Sequence, residues 1–306
     1  MSELLRVEEL RVAFSVQGRK LLAVRGVSFS VREGEAVGIV GESGCGKSAT
    51  VQALTRLTDA EVSGKVWFEE EDLLQKKNLR EVRGRKIGMV FQDPMTSLNP
   101  TMKIGAQIGE GLIFHGICRR REAVERAIEL LRLTGVPEPE MRAGQYPHEL
   151  SGGLRQRVTI AIALACNPRL LIADEPTTAL DVTIQAQILD LLKRLQKHFQ
   201  MSLLLITHDL GVVASICEWV LVMYAGKIVE QGSVEDVLLR PKHPYTQMLL
   251  RSLPRKGEAL QVIEGVPPNL GSPIVGCAFR ERCPLALPIC NQEPVFGKSA
   301  ACWRVE

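Results

Sequence analysis

Short apolar segments at the start of the chain predict β-strands. Apolar and polar positions alternate over 10–14 and 27–31, and a run over 35–40 follows that is apolar after Glu35. A glycine-rich stretch comes next, and positions 47–57 then carry a helical pattern. This region is therefore predicted to contain several strands, a loop and a helix.

Predicted strands and helices also follow one another in the second half of the chain. Strands are predicted over 170–173 and 203–206. The helix between them has one apolar face formed by Ile184, Ile188, Leu191, Leu192 and Leu195. Such alternation predicts an α/β fold in which helices cover a parallel sheet.

The middle and the end of the chain have a different character. Residues 93–158 are predicted to be an inserted helical subdomain, in which Gly135 ends a helix whose shared face is formed by Val124, Ala127, Ile128 and Leu131. The α/β core is then formed by 1–92 and 159–240. Residues 241–306 are rich in Pro and Cys and are predicted to be a C-terminal extension.

Charge and hydropathy limit the possible partners. The formal net charge of the 306 residues is only +3 and no long basic stretch occurs, so a nucleic-acid partner is not expected. No apolar run approaches the roughly 18 residues of a spanning helix, and the first residues do not resemble a signal peptide. We expect a cytoplasmic protein that would work at a membrane only through partner chains.

The glycine-rich stretch matches the phosphate-binding pattern G-x-x-x-x-G-K-S/T. It lies between a predicted strand and a predicted helix, which is the context that this pattern requires. Lys47 is expected to reach the β- and γ-phosphates, and the Ser48 hydroxyl is expected to ligate Mg²⁺. The predicted nucleotide-binding residues are Gly41, Ser43, Gly44, Cys45, Gly46, Lys47, Ser48 and Ala49.

A pair of acidic residues ends the strand predicted over 170–173. Asp174 can hold Mg²⁺ directly or through water, and the adjacent Glu175 can act as general base toward a water that attacks the γ-phosphate. About twenty residues earlier, Ser151, Gly152 and Gly153 have the composition of a helix start. Such a start can cap the helix and can also bind a phosphate with its backbone N–H groups.

The order of these motifs resembles the ATP-binding cassette ATPases, a family with the P-loop NTPase fold. The resemblance implies that Ser151, Gly152 and Gly153 contact the ATP held by a facing subunit. It also implies that Gln92 senses Mg²⁺ and the attacking water and that His208 hydrogen-bonds the γ-phosphate. Asp181, in the segment Ala179-Leu180-Asp181, would connect the two nucleotide sites. Phe14 can stack on adenine, although a core position explains it equally well.

Three longer segments resemble the ATPase subunit of dipeptide, oligopeptide and nickel importers. They are Gln92-Asp93-Pro94-Met95-Thr96-Ser97-Leu98-Asn99-Pro100, Asp174-Glu175-Pro176-Thr177-Thr178-Ala179-Leu180-Asp181-Val182-Thr183 and Pro241-Lys242-His243-Pro244-Tyr245-Thr246. The resemblance implies a second ATPase subunit, identical or a paralogue and more often a paralogue. It also implies two transmembrane permease subunits and an extracytoplasmic substrate-binding protein. The chain would be peripheral on the cytoplasmic face of the plasma membrane and would power peptide import. The alternatives are import of nickel or another small solute by the same machinery, or a cassette ATPase without a transport role.

Four of the eight cysteines are clustered in the extension, namely Cys277, Cys283, Cys290 and Cys302. A disulfide framework is not expected in a reducing cytoplasm. The wide spacings lack the close pairs that are usual for zinc, and the loop-rich setting suits an iron–sulfur cluster. Importer subunits with a similar cysteine spacing carry a 4Fe-4S cluster, so these residues are predicted to be its ligands, with structural zinc or no metal as the alternatives.

Overall fold

A computed structural model describes residues 2–16, 18–178, 180–253 and 262–305. The described residues form ten strands and ten α-helices. The strands are β1 (Glu3–Val16), β2 (Arg19–Arg32), β3 (Ala36–Val40), β4 (Glu61–Phe68), β5 (Glu71–Asp72), β6 (Ile87–Val90), β7 (Leu170–Asp174), β8 (Ser202–Thr207), β9 (Trp219–Tyr224) and β10 (Lys227–Ser233). The helices are α1 (Lys47–Leu54), α2 (Pro94–Ser97), α3 (Ile104–Phe114), α4 (Arg120–Leu133), α5 (Pro139–Ala143), α6 (Gly152–Leu164), α7 (Val182–Phe199), α8 (Leu210–Ile216), α9 (Val234–Leu239) and α10 (Pro244–Arg251).

The described residues divide into two compact units. The first comprises residues 2, 32–36 and 76–206, and the second comprises residues 3–31, 37–75 and 207–305. The predicted strand–helix alternation is confirmed in both. No helix in the described ranges is long and apolar enough to cross a bilayer.

In the first unit, β7 lies between β6 and β8, and both pairings are parallel. Every residue of β7 is buried, as is every residue of β8, which explains why both strands are continuous apolar runs in the sequence. Parallel strands have their carboxyl ends at one edge of the sheet, and residues that follow these strands meet there. Gln92 and Glu175 follow β6 and β7 at that edge.

Helix α7 shows how the sequence pattern specifies a helix with one buried face. Asp181 is its N-cap, and the Asp181 carboxylate accepts a hydrogen bond from the Ile184 N–H at 2.9 Å. The apolar stripe predicted for this helix is largely buried, since Ile188, Leu191, Leu192 and Leu195 have almost no exposed surface. The predicted apolar face is therefore the buried face of the helix, with Ile184 half-buried at its start.

The helical part of the first unit comprises α2 to α6. Helix α4 ends at Leu133 and is followed by Gly135 in the left-handed region (φ +72°), as predicted. Its buried face is formed by Ala123, Ala127, Leu130 and Leu131. Val124 was predicted on that face but is 49% exposed, so the predicted stripe is rotated by about one position at its N-terminal end.

The second unit contains the glycine-rich segment and the C-terminal residues. In one sheet the strand order is β2-β1-β4-β5. In addition, β3 pairs in parallel with β9, and β9 pairs antiparallel with β10. Helix α1 begins immediately after the glycine-rich loop and ends at Leu54, three residues before the predicted end, because Arg56 adopts a left-handed conformation (φ +53°).

Candidate active site

The glycine-rich loop connects β3 to α1 and folds back on the Lys47 side chain. Lys47 is only 4% exposed, and its Nζ donates hydrogen bonds to the carbonyl oxygens of Gly41 at 2.8 Å and Glu42 at 3.1 Å. The first helical turn lacks an acidic residue, so the positive end of the α1 dipole is not offset there. A buried ammonium group beside a helix N-terminus suits a polyphosphate anion.

Two glycines of the loop lie where no side chain fits. A Cβ on Gly41 would lie 2.1 Å from the Met223 carbonyl oxygen, and a Cβ on Gly46 would lie 2.4 Å from the Ala23 carbonyl oxygen. Gly46 also has a φ of +105°, which favours glycine. This close backbone packing explains why the pattern has glycine at these two positions. The main-chain N–H groups of such a loop can donate hydrogen bonds to phosphate.

The remaining predicted nucleotide-binding residues of this unit differ in exposure. Cys45 is buried, and burial raises the pKa of its thiol to about 11, so the thiol is neutral at physiological pH. Ser48 and Ala49 are half-buried at the start of α1, while Ser43 is exposed. Two further predicted residues lie in the same unit: Phe14 is half-buried in β1, and His208 is exposed directly after β8.

The acidic pair belongs to the first unit. Asp174 is the buried last residue of β7. Glu175 follows with its backbone in the left-handed region (φ +45°), and its N–H donates to the Ile206 carbonyl at 2.9 Å. A non-glycine residue in this region is uncommon and costs free energy.

Two side chains orient the Glu175 carboxylate. Gln92 Nε2 donates to Glu175 Oε2 at 3.1 Å, and the Thr178 hydroxyl donates to the same oxygen at 2.9 Å. Gln92 and Glu175 are 83 residues apart in the chain, and the structure brings these two predicted site residues into direct contact. Thr178 was not among the predicted residues, and its position three residues after Glu175 is the only sequence signal for this contact.

Ser151 is the N-cap residue of α6, and its side chain makes no capping hydrogen bond. It is exposed, so its hydroxyl faces solvent at the positive end of the helix. Gly153 permits close packing of α6 on α7, because a Cβ there would lie 3.0 Å from Ile184 Cγ2. Asp181 caps α7, as described above, and Ala179 of the same segment lies outside the described residues.

Comparison with known proteins identifies the family to which this chain belongs. Residues 24–178 match the family described as ABC transporter, and residues 229–290 match the oligopeptide/dipeptide transporter, C-terminal region. The chain belongs to the ABC transporter family. Among its relatives, the oligopeptide transport ATP-binding protein OppD of Bacillus subtilis is 52% identical, over 97% of this chain and 86% of that protein.

A second relative and a solved structure agree with this family assignment. The dipeptide transport ATP-binding protein DppD of Bacillus subtilis is 50% identical, over 95% of this chain and 90% of that protein. A solved dimer of an ATP-binding cassette in a post-hydrolysis state, bound to ADP and phosphate, has a TM-score of 0.68 and 30% identity, over 75% of this chain and 98% of that chain. The predicted ATP-binding cassette fold is therefore confirmed.

The C-terminal part of this ABC transporter chain contacts the phosphate-binding loop. The buried Tyr245 hydroxyl accepts a hydrogen bond from the Glu42 N–H at 3.0 Å. Arg282 donates to both oxygens of the Glu42 carboxylate, at 2.7 and 2.9 Å. Neither Tyr245, Arg282 nor Glu42 was predicted as a site residue. Glu42 is visible in the sequence pattern of the loop, but that pattern does not indicate which distant residues contact it.

The predicted 4Fe-4S site in the extension is wrong. No group of three or more His, Cys, Asp or Glu side chains among the described residues is arranged to hold a metal ion. Cys277, Cys283, Cys290 and Cys302 line one cavity of about 20 Å³. By the measure in which a water needs about 10–15 Å³, this space admits a single water and not a cluster of eight atoms.

The thiols instead belong to a packed segment held by aromatic residues. Burial raises the pKa of Cys277 and of Cys283, which favours neutral thiols over metal-binding thiolates. Phe279 is buried, and its ring centroid lies 5.2 Å from that of Tyr224 and 5.4 Å from that of Tyr245. Through these aromatic contacts the extension packs against Tyr224 at the end of β9.

Proposed function

We propose that this chain is the ATPase subunit of a membrane transporter that imports peptides. Members of its family hydrolyse ATP, and this chain is an ATP hydrolase of that family. The observation that carries the peptide assignment is the match of residues 229–290 to the oligopeptide/dipeptide transporter C-terminal region. The relatives named for oligopeptides and dipeptides support peptides over nickel as the solute.

Nucleotide binding is assigned to the glycine-rich loop and the start of α1. The main-chain N–H groups of the loop hold the phosphates, and Lys47 exchanges its contacts with the Gly41 and Glu42 carbonyl oxygens for the β- and γ-phosphates.

The Ser48 hydroxyl, Asp174 and Gln92 are the proposed Mg²⁺ ligands. Their oxygen atoms are the donors that this hard cation prefers. When bound, Mg²⁺ neutralises the charge that develops on the transferred phosphoryl group. Phe14 is the proposed partner of the adenine ring.

Glu175 is the proposed general base. Its carboxylate is held through Oε2 by the Gln92 amide and the Thr178 hydroxyl, which fixes the direction in which it accepts a proton. The left-handed backbone of Glu175 sets the carboxylate beyond the buried end of β7. His208 is the proposed hydrogen-bond donor to the γ-phosphate.

A second ATPase subunit is proposed to complete each site. Ser151, Gly152 and Gly153 would bind the ATP held by that subunit, and Asp181 would connect the two sites. The unused capping capacity of Ser151 and its exposure support this role. Whether the second subunit is a copy or a paralogue determines whether both sites are equivalent.

The proposed membrane partners are two permease subunits, with an extracytoplasmic binding protein that delivers the peptide. The chain would then lie on the cytoplasmic face of the membrane. An apolar groove of about 760 Å³ between α3, α4 and α5 supports a permease contact. Ile113, Phe114 and Val124 line it and are each about half exposed. Exposed apolar surface of this kind is typical of protein contacts.

The catalytic part of the proposal is tested by Glu175→Gln in the transporter assembled with its permease subunits. ATP binding should be retained, and hydrolysis should fall by roughly a hundredfold or more, the usual contribution of a positioned general base. Thr178→Val is the graded companion, since it removes the Thr178 hydrogen bond to Glu175 Oε2, leaves the Gln92 hydrogen bond in place and should slow hydrolysis less. Near-native turnover of Glu175→Gln would remove Glu175 from this role.

A further inference from the structure

The Glu42 carboxylate places a negative charge inside the loop that is assigned to a polyphosphate. Glu42 lies between Gly41 and Ser43, and its side chain is 24% exposed. A carboxylate and a phosphate repel each other, and the repulsion is stronger where the surroundings exclude water. The loop therefore needs a compensating cation at this position.

Arg282 of the C-terminal extension supplies that cation. Its side chain is only 5% exposed, and its two terminal nitrogens contact the two Glu42 carboxylate oxygens at 2.7 and 2.9 Å. This two-bond geometry is the one in which arginine binds a carboxylate most strongly. The two residues are 240 positions apart in the chain. The positive charge beside Glu42 therefore comes from the C-terminal extension and not from a neighbouring residue of the loop.

The Arg282 guanidinium group also donates hydrogen bonds to three acceptors outside the loop. Arg282 Nε donates to the Glu264 carbonyl at 3.0 Å, and one terminal nitrogen donates to the Ile263 carbonyl at 3.2 Å. The other terminal nitrogen donates to the Tyr224 hydroxyl at 3.2 Å. A lysine has no planar fork and could not satisfy these acceptors together.

The contact continues through Glu42 to the lysine of the loop. The Glu42 N–H is held by the Tyr245 hydroxyl at 3.0 Å, and the Glu42 carbonyl oxygen accepts from Lys47 Nζ at 3.1 Å. Glu42 is thus fixed at its side chain and at its backbone by C-terminal residues. A change at Arg282 would alter both the charge of the loop and the position of a carbonyl that Lys47 uses.

We propose that Arg282 is a positioning residue of the ATPase, which neutralises Glu42 and thereby sets the affinity of the phosphate-binding loop for nucleotide. The proposal rests on the assignment of residues 41–48 to the nucleotide phosphates. It gives the C-terminal extension a part in nucleotide binding, in addition to any role in transport.

The test is calorimetric titration of the purified full chain with MgADP, which avoids turnover. Arg282→Met should weaken binding by about tenfold, corresponding to about 1.4 kcal/mol. Arg280→Met is the matched control, because Arg280 lies two residues away and contacts the Val275 carbonyl and Asn291 instead of the loop. The control should change the dissociation constant by no more than about twofold.

The double variant Arg282→Met with Glu42→Gln separates charge compensation from loss of structure. It lacks the Arg282–Glu42 contact, but the uncompensated charge is gone, so it should recover most of the lost affinity. In ATPase assays, Arg282→Met should raise the KM for ATP with little change in kcat. If Arg282→Met does not fold, Arg282→Lys, which keeps the charge without the fork, should still weaken MgADP binding by about threefold.

Native affinity in folded Arg282→Met or Arg282→Lys would overturn the proposal. A double variant that binds as weakly as Arg282→Met would also overturn it, because the defect would then come from a detached extension. Lys47→Ala distinguishes the underlying assignment. If Lys47→Ala binds MgADP normally, the phosphate site itself is wrongly assigned, whereas lost binding in Lys47→Ala with native binding in Arg282→Met contradicts only the role of Arg282.

Discussion

Three glycines of the phosphate-binding loop allow steric and conformational requirements to be separated by substitution. A Cβ on Gly41 would meet the Met223 carbonyl oxygen at 2.1 Å without a positive φ. Gly44 has a φ of +77°, and its Cβ would meet no atom within 4 Å. Gly46 combines a φ of +105° with a Cβ that would lie 2.4 Å from the Ala23 carbonyl oxygen. Replacement of each by alanine therefore tests overlap, strain and their combination.

The expected loss of stability follows from these geometries. Gly44→Ala carries the left-handed strain of about 1–2 kcal/mol. The lower entropy of the unfolded alanine chain offsets about 0.4–1 kcal/mol of it, which leaves a net loss of about 1 kcal/mol. Gly41→Ala forces a backbone displacement and should cost about 3 kcal/mol or more, the upper part of the range for overpacking. Gly46→Ala adds both effects and should be the least stable of the three.

Urea unfolding of the nucleotide-free chain, followed by tryptophan fluorescence, measures this order. All three tryptophans, Trp67, Trp219 and Trp303, belong to the second compact unit, which also contains the loop. The signal therefore reports on the unit that carries the substitutions. A loss in Gly44→Ala as large as that in Gly41→Ala would refute the account, because it would mean that close main-chain packing does not set the glycine spacing.

Two further predictions concern pH and the composite site. Burial lowers the pKa of His243 to about 4, below its usual value near 6.5, so the unfolded chain binds the proton more readily. The contribution of this residue to the free energy of unfolding is fully present above about pH 6.5 and is lost as the pH falls toward 4. His243→Asn can still accept the Tyr245 N–H, and its free energy of unfolding should decrease less between these pH values. Ser151→Arg should leave MgADP binding to the isolated chain intact, because Lys47 and Ser48 are unchanged, while hydrolysis by the assembled transporter falls by about tenfold or more. Lost binding in the isolated chain would mean that the site is not shared between subunits.

The sequence predicted those parts of the fold that depend on local pattern. Strands β3 and β7 were recognisable as apolar runs, and α7 was recognisable from an apolar stripe that the structure largely buries. The end of α1 was not predictable, because the left-handed Arg56 that stops it is not a glycine. Val124 was assigned to the wrong face because helical periodicity alone does not say which neighbours cover a helix.

Contacts between distant segments explain most of what the sequence did not predict at the site. The pattern of the loop identified Lys47 and its glycines, but the partners of Glu42 come from positions 245 and 282. The clustered cysteines were read as metal ligands because spacing does not show how much space they enclose. The structure shows a cavity of about 20 Å³ among them, beside the buried ring of Phe279.

Peptide-stimulated ATP hydrolysis shows directly whether this chain powers peptide import. The chain would be reconstituted in vesicles with its ATPase partner, its permease subunits and the substrate-binding protein, and hydrolysis would be followed together with uptake of a labelled peptide. Peptide should increase hydrolysis and should accumulate in the vesicles only with ATP, and Glu175→Gln should abolish both effects. Peptide accumulation with Glu175→Gln at the level seen with the native chain, or hydrolysis by the native chain that peptide does not change, would contradict the conclusion that this chain powers peptide import.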